Sequence, residues 1–207
     1  MITVLLDKAE FEYDIHSLVK AFYPKEEVYV STKDKEKKEE PVHYHMDVQF
    51  APEEIIFSWK RVEASEDNAN QTGITKCVAV DYTNRKETKN SLKRTLYRLL
   101  SEYTGVELPW GNLTGIRPTK IPMALLEEGK SEEEIARYMK ETYFTSDEKI
   151  KLSIEIAERE LELLHKLDYE EGYSLYIGIP FCPTTCLYCS FTSYSMSAWK
   201  NRMDDYL

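Results

Sequence analysis

Over the first hundred residues, apolar and polar positions alternate with period two in several short stretches, broken by two longer stretches of helical period. Ile2–Leu6, Glu27–Ser31 and Tyr44–Phe50 read as strands, because Val28 with Val30, and Met46 with Val48 and Phe50, each fall on one face of an extended chain. Glu54–Val62 and Ile74–Val80 continue the pattern, with Pro52 and the run Asn68-Ala-Asn-Gln-Thr-Gly73 marking breaks. A first helix is expected over Glu10–Phe22. A second carries Leu92, Leu96, Leu99, Leu100 and Tyr103 on one stripe and stops at Gly105, a residue suited to the left-handed end of a helix. The pattern predicts a small antiparallel α+β domain over residues 1–105.

Residues 106–172 read differently. Leu108-Pro-Trp-Gly-Asn-Leu-Thr-Gly-Ile-Arg-Pro-Thr-Lys120 is dense in Pro and Gly and predicts an irregular connector. A helical segment follows, with Ser131/Glu134 and Thr145/Glu148 each spaced as a capping box, in which hydroxyl and carboxylate satisfy unpaired backbone N–H groups. Ile150, Ile154, Ala157, Leu161 and Leu164 then form the apolar stripe of a long amphipathic helix ending near Leu167. From residue 173 the character changes again. Tyr173–Ile179 is nearly continuous in apolar residues, as a strand buried on both faces would be, and Ser197 opens a last short helical pattern with Trp199, Met203, Tyr206 and Leu207 on one face.

The formal charge of −10 argues against general nucleic-acid binding, which draws on clustered cations. Arg85, Lys86, Lys89, Lys93, Arg94 and Arg98 make the second helix basic, but its complementary stripe is aliphatic, so these read as a solvated face. The run Lys33–Glu40 alternates both signs and reads as a solvated loop. No apolar run reaches the roughly 20 residues of a membrane span, and Asp7 and Lys8 come too early for a signal peptide, so a cytoplasmic location is expected.

Three of four cysteines, Cys182, Cys186 and Cys189, lie within eight residues, which is a metal or redox pattern and not a disulfide framework. Three thiolates at that spacing can hold three corners of an iron–sulfur cube and leave the fourth iron open; a tetrahedral zinc site, drawing its fourth ligand from afar, for instance His165, is the competing reading. Cys77, in Lys76-Cys-Val-Ala-Val80, reads as a small buried strand residue. Arg117 and Lys120 offer donors for a carboxylate or phosphate, though capping or packing is the simpler role. His43 and His45 would share a strand face but lack a third ligand.

Tyr176-Ile-Gly-Ile-Pro-Phe-Cys182, running into Pro183-Thr-Thr-Cys186-Leu-Tyr-Cys189, resembles the first barrel strand and cluster loop of the radical S-adenosylmethionine superfamily. Within it, the segment is similar to the oxygen-independent coproporphyrinogen III dehydrogenase family, and Pro109–Lys120 resembles the connector of its HemZ-type branch. The resemblance implies that Cys182, Cys186 and Cys189 ligate a [4Fe-4S] cluster and that S-adenosylmethionine occupies the open iron. It also implies that Tyr176 lies near the sulfonium, and that Tyr188 shapes the loop around the adenine. It implies a tetrapyrrole substrate whose propionates become vinyl groups, and an electron donor. By the same resemblance, Gly178 stands where catalytic members carry His, and Ser190-Phe191 replaces a Gly-Cys pair whose Cys related haem carriers also lack. Residues 173–207 would thus open a (β/α) barrel that takes about 250 residues in full, so the chain is expected to be an inactive fragment of a longer enzyme.

Overall fold

The computed structural model describes residues 1–32, 42–62, 73–115, 117–168, 171–202 and 204–206. The mixed-charge run at Lys33–Glu40 and most of the Asn68–Gly73 break lie outside them, as do Met203 and Leu207. Two compact units are present, Met1–Leu163 and Leu164–Leu207.

The larger unit is built on a five-stranded sheet. Strands β1 (Ile2–Leu6), β2 (Val28–Thr32), β3 (Tyr44–Phe50), β4 (Glu54–Arg61) and β5 (Ile74–Ala79) lie in the order β2-β1-β3-β4-β5. Each follows closely the alternation in the sequence. The sheet is mixed, however, and not antiparallel as expected. β1 runs parallel to both neighbours, Ile2 facing Val28 on one side and Tyr44 on the other, whereas β3, β4 and β5 form an antiparallel meander. The cause is helix α1 (Glu12–Phe22), which carries the chain back along β1 so that β2 must start at the same end.

Helices α1 and α2 (Arg85–Thr104) cover one sheet face. Their Ile15, Leu18, Leu92, Leu96, Leu99 and Leu100 are fully buried against Ile2, Leu6, Met46, Ile55, Phe57 and Trp59. Truncating one such side chain to Ala removes packing worth about 2–5 kcal/mol. α2 starts where Asn84 Oδ1 accepts the Glu87 N–H at 3.1 Å and ends at Gly105, whose φ of 68° is the left-handed stop read from the sequence. Cys77 is exposed on the uncovered side of edge strand β5, not buried: β5 turns Ile74 and Val78 to the core, and Cys77 falls on the opposite phase.

The connector is irregular, as expected, and is held at several points. Asn112, buried, receives the chain back: its N–H reaches Tyr143 O at 2.8 Å and its Nδ2 reaches Thr142 O at 3.2 Å. Gly111 has φ 55°, and a Cβ there would sit 1.9 Å from Tyr143 O, so only glycine permits the approach. Three helices follow: α3 (Lys120–Glu127), α4 (Glu132–Tyr143) and α5 (Asp147–Leu164). α4 opens with the full Ser131/Glu134 capping box. At α5 the expected Thr145/Glu148 box does not form, and a single cap one residue later takes its place. Ser146 Oγ accepts the Lys149 N–H at 3.4 Å, while Thr145 turns inward and is 2% exposed. Phe144, in the left-handed region at φ 58°, ends α4 and stacks its ring on Tyr97 at 5.3 Å.

Candidate functional site: the three-cysteine loop

The smaller unit holds the cysteine loop. Its lead-in, Tyr173–Ile179, forms no strand, contrary to expectation. A strand must pair its N–H and C=O groups with a neighbour, and no partner strand lies beside it among the described residues. Its apolar side chains are exposed, Tyr176 at 81%. The final helix is also shorter than the sequence pattern, a single turn α6 (Met196–Trp199).

What does form is a two-residue parallel pairing of β6 (Phe181–Cys182) with β7 (Tyr194–Ser195), Tyr194 N–H donating to Pro180 O at 2.7 Å. The Phe181 ring sits among Tyr206 at 5.3 Å, Trp199 at 6.0 Å and Tyr194 at 6.4 Å. Tyr206 also donates its hydroxyl to Gly178 O at 2.8 Å. This aromatic nest pins Phe181 and with it the base of the loop at Cys182. The sequence reading placed Trp199 and Tyr206 on a helix face and missed the nest; a second signal was the density of aromatics on either side of the cysteines.

Within the loop, Cys189 N–H donates to Cys186 O at 3.0 Å, a turn that sets the last two cysteines on one bend. Cys182 and Cys189 are half-buried and Cys186 is exposed; all three are free thiols. The loop thus brings the three together in sequence, but among the described residues no three Cys, His, Asp or Glu side chains are gathered closely enough to hold a metal ion. The chemistry of the donor set nevertheless fits a cluster: soft sulfur donors, none tied up in a disulfide, open to the surface. Tyr188 is 90% exposed beside them.

The other candidates resolve as structural. Arg117 donates to both Glu160 oxygens at 3.1 and 3.0 Å, tying the connector to α5. His45 bridges Thr3 Oγ1 at 2.8 Å and Asp47 at 3.1 Å across β1 and β3, and His43 lies 3.1 Å from Glu26. The basic residues of α2 do not form one cationic surface. Lys89 pairs with Asp14, Arg94 with Glu87, and Arg85 and Arg98 lie over the rings of Phe11 and Phe144. Lys93 is buried and not solvated as expected: its Nζ donates to Thr114 Oγ1 at 3.0 Å, and burial lowers its pKa below the ordinary lysine value.

No protein-family model matches the chain. It is similar to an oxygen-independent coproporphyrinogen-III oxidase-like protein, which bears out the HemZ-type resemblance read from the sequence. That protein is HemZ of Bacillus subtilis strain 168, with 39% identity over 137 residues, or 64% of this chain. The chain spans 27% of that relative's length. No helix among the described residues is long and apolar enough to cross a membrane.

Proposed function

We propose that this chain carries the cofactor-binding loop of a radical S-adenosylmethionine oxidoreductase acting on a tetrapyrrole in the cytoplasm. The observation that carries the reading is the loop itself: three free, accessible thiols on eight residues, in a relative of a coproporphyrinogen-III oxidase-like protein. Cys182, Cys186 and Cys189 would hold a [4Fe-4S] cluster once deprotonated, because thiolates and not thiols are the ligands. Such a cluster would supply one-electron chemistry toward S-adenosylmethionine, with an external electron donor, for the oxidative decarboxylation of a propionate.

This chain's own part is positional. The Phe181 nest fixes where the loop begins, and the Cys186–Cys189 turn fixes its closing bend. Tyr176 and Tyr188 have free ring faces with which to meet the cofactor. Those same exposures mean that the loop residues do not themselves exclude water, which radical chemistry requires, so the 207-residue chain is proposed to convert no coproporphyrinogen III.

A haem carrier without decarboxylation is the second reading, because Gly178 stands where catalytic members of the resembled family carry His. A Cβ at that position would meet the Tyr176 ring at 3.0 Å, so a His there requires the ring to move. The test is anaerobic reconstitution with iron and sulfide. Cys182→Ala, Cys186→Ala and Cys189→Ala should each sharply reduce bound iron and sulfide, and Cys77→Ala should leave both unchanged. Stoichiometric zinc without sulfide overturns the cluster. Haem binding without S-adenosylmethionine cleavage, in a chain extended to the relative's length, replaces the oxidoreductase with the carrier.

A further inference from the structure

A cavity in the larger unit is not used by the proposed function. With a volume of about 900 Å³, it opens where the C-terminal half of α2, the start of the connector and the α4–α5 turn meet. That is within the range of small-molecule pockets. Tyr97, Leu108, Pro109 and Phe144 give it an apolar wall. Its polar side is the first turn of the 18-residue helix α5, where Ser146 Oγ takes the Lys149 N–H and the N–H groups of Asp147 and Glu148 have no intrahelical acceptor.

Two observations there point to a ligand. Thr145 lines the cavity, is 2% exposed, and its Oγ1 has no hydrogen-bond partner among the described residues. A buried hydroxyl left unpaired costs free energy, and such groups in folded proteins call for a missing partner. Arg98 also lines the cavity. Its guanidinium lies over the Phe144 ring at 5.0 Å and makes no ion pair among the described residues. The carboxylates on the rim are mostly neutralised: Glu102 by Lys76, Asp147 by Lys140 and Glu148 by Lys149. Glu107 makes no ion pair among the described residues, and its charge disfavours a ligand of high negative charge.

We propose that this cavity binds a small molecule through one oxyanion, a carboxylate or a phosphate. Arg98 supplies the charge, Thr145 and the α5 N-terminus supply the directed donors, and the Tyr97–Phe144 wall takes the apolar remainder. Arg98 stacked on a ring is held flat, with its fork of donors free to grip two oxygens.

The test titrates the full chain with inorganic phosphate and, separately, succinate, following the backbone amides of Thr145, Ser146 and Asp147 by NMR at constant ionic strength. One or both anions should shift these amides saturably, and which one does so tells phosphoryl from carboxylate recognition. Arg98→Met should weaken binding about ten-fold or more, while Arg94→Met, which breaks only the pair with Glu87, should not. Thr145→Val separates binding from folding. It should weaken the anion yet leave the unliganded chain as stable as before or more so, because it deletes an unpaired hydroxyl. Shifts matched by chloride, undiminished binding in Arg98→Met, or a destabilised Thr145→Val would each overturn the proposal.

Discussion

Replacing Phe144 by Gly and by Ala sets two contributions against each other at one residue. Phe144 holds φ 58° to close α4, a conformation that costs a residue with a Cβ roughly 1 kcal/mol more than glycine. Its ring offsets that cost by stacking on Tyr97 at 5.3 Å and lying under Arg98 at 5.0 Å. Full burial of a Phe ring is worth about 3–5 kcal/mol on truncation, and Phe144 is half-buried, so losing its ring should cost about 2 kcal/mol. Phe144→Ala loses the ring and keeps the strain; Phe144→Gly loses the ring and relieves the strain. Glycine should therefore be the milder change, at a net loss of about 1 kcal/mol. With a urea slope of about 2 kcal/mol/M, the circular-dichroism midpoint should fall by about 1 M for Ala and about 0.5 M for Gly. Equal midpoints, or a lower one for Gly, would refute the assignment of strain to this position.

Ser131→Ala removes the hydroxyl half of the α4 capping box and should lower stability by about 1 kcal/mol in urea, whereas Ser131→Asp should retain most of it. Lys93→Met tests the buried amine. Burial depresses its pKa, so the unfolded chain binds more protons between the folded and unfolded values, and stability should rise with pH as the ordinary lysine range is approached. That alkaline gain should be absent in Lys93→Met, and an unchanged pH profile would show that the ammonium is solvated. Tyr23 behaves oppositely: burial, then Tyr44 and Tyr103, push its pKa well up, so stability should be lost as pH climbs above the unfolded value near 10. Tyr23→Phe should remove that loss, and because the Tyr23 hydroxyl has no partner among the described residues it should cost little at neutral pH.

Strands and helices of the larger unit were legible because one buried face imposes a period, and Met46, Val48 and Phe50 or Leu92, Leu96 and Leu99 state it plainly. Direction was not. Alternation says that Ile2–Leu6 has one buried face but not that its neighbours run parallel, which depends on where α1 returns the chain. The cap of α5 was misplaced because Thr145 and Ser146 both carry hydroxyls, and the left-handed turn at Phe144 decides between them. The three cysteines stood out in the sequence by their spacing, as a candidate site. Their lead-in was not legible, since the apolar run Tyr173–Ile179 asks for flanking strands that local sequence cannot supply.

The place of β1 bears on the order in which the sheet assembles. Its five residues pair with β2 across one helix and with β3 across a longer separation, while the β3–β4 and β4–β5 pairings join strands adjacent in sequence. Local pairings close short loops and are expected to form early; the β1–β3 seam closes the longest loop in the sheet and should carry the largest entropic delay. Two sub-assemblies, β1-α1-β2 and the β3-β4-β5 meander, would then arise separately and meet at that seam. Substitutions at Val4 or Met46, which face each other across it, should slow refolding more than equally buried changes inside the meander, such as Phe57→Leu.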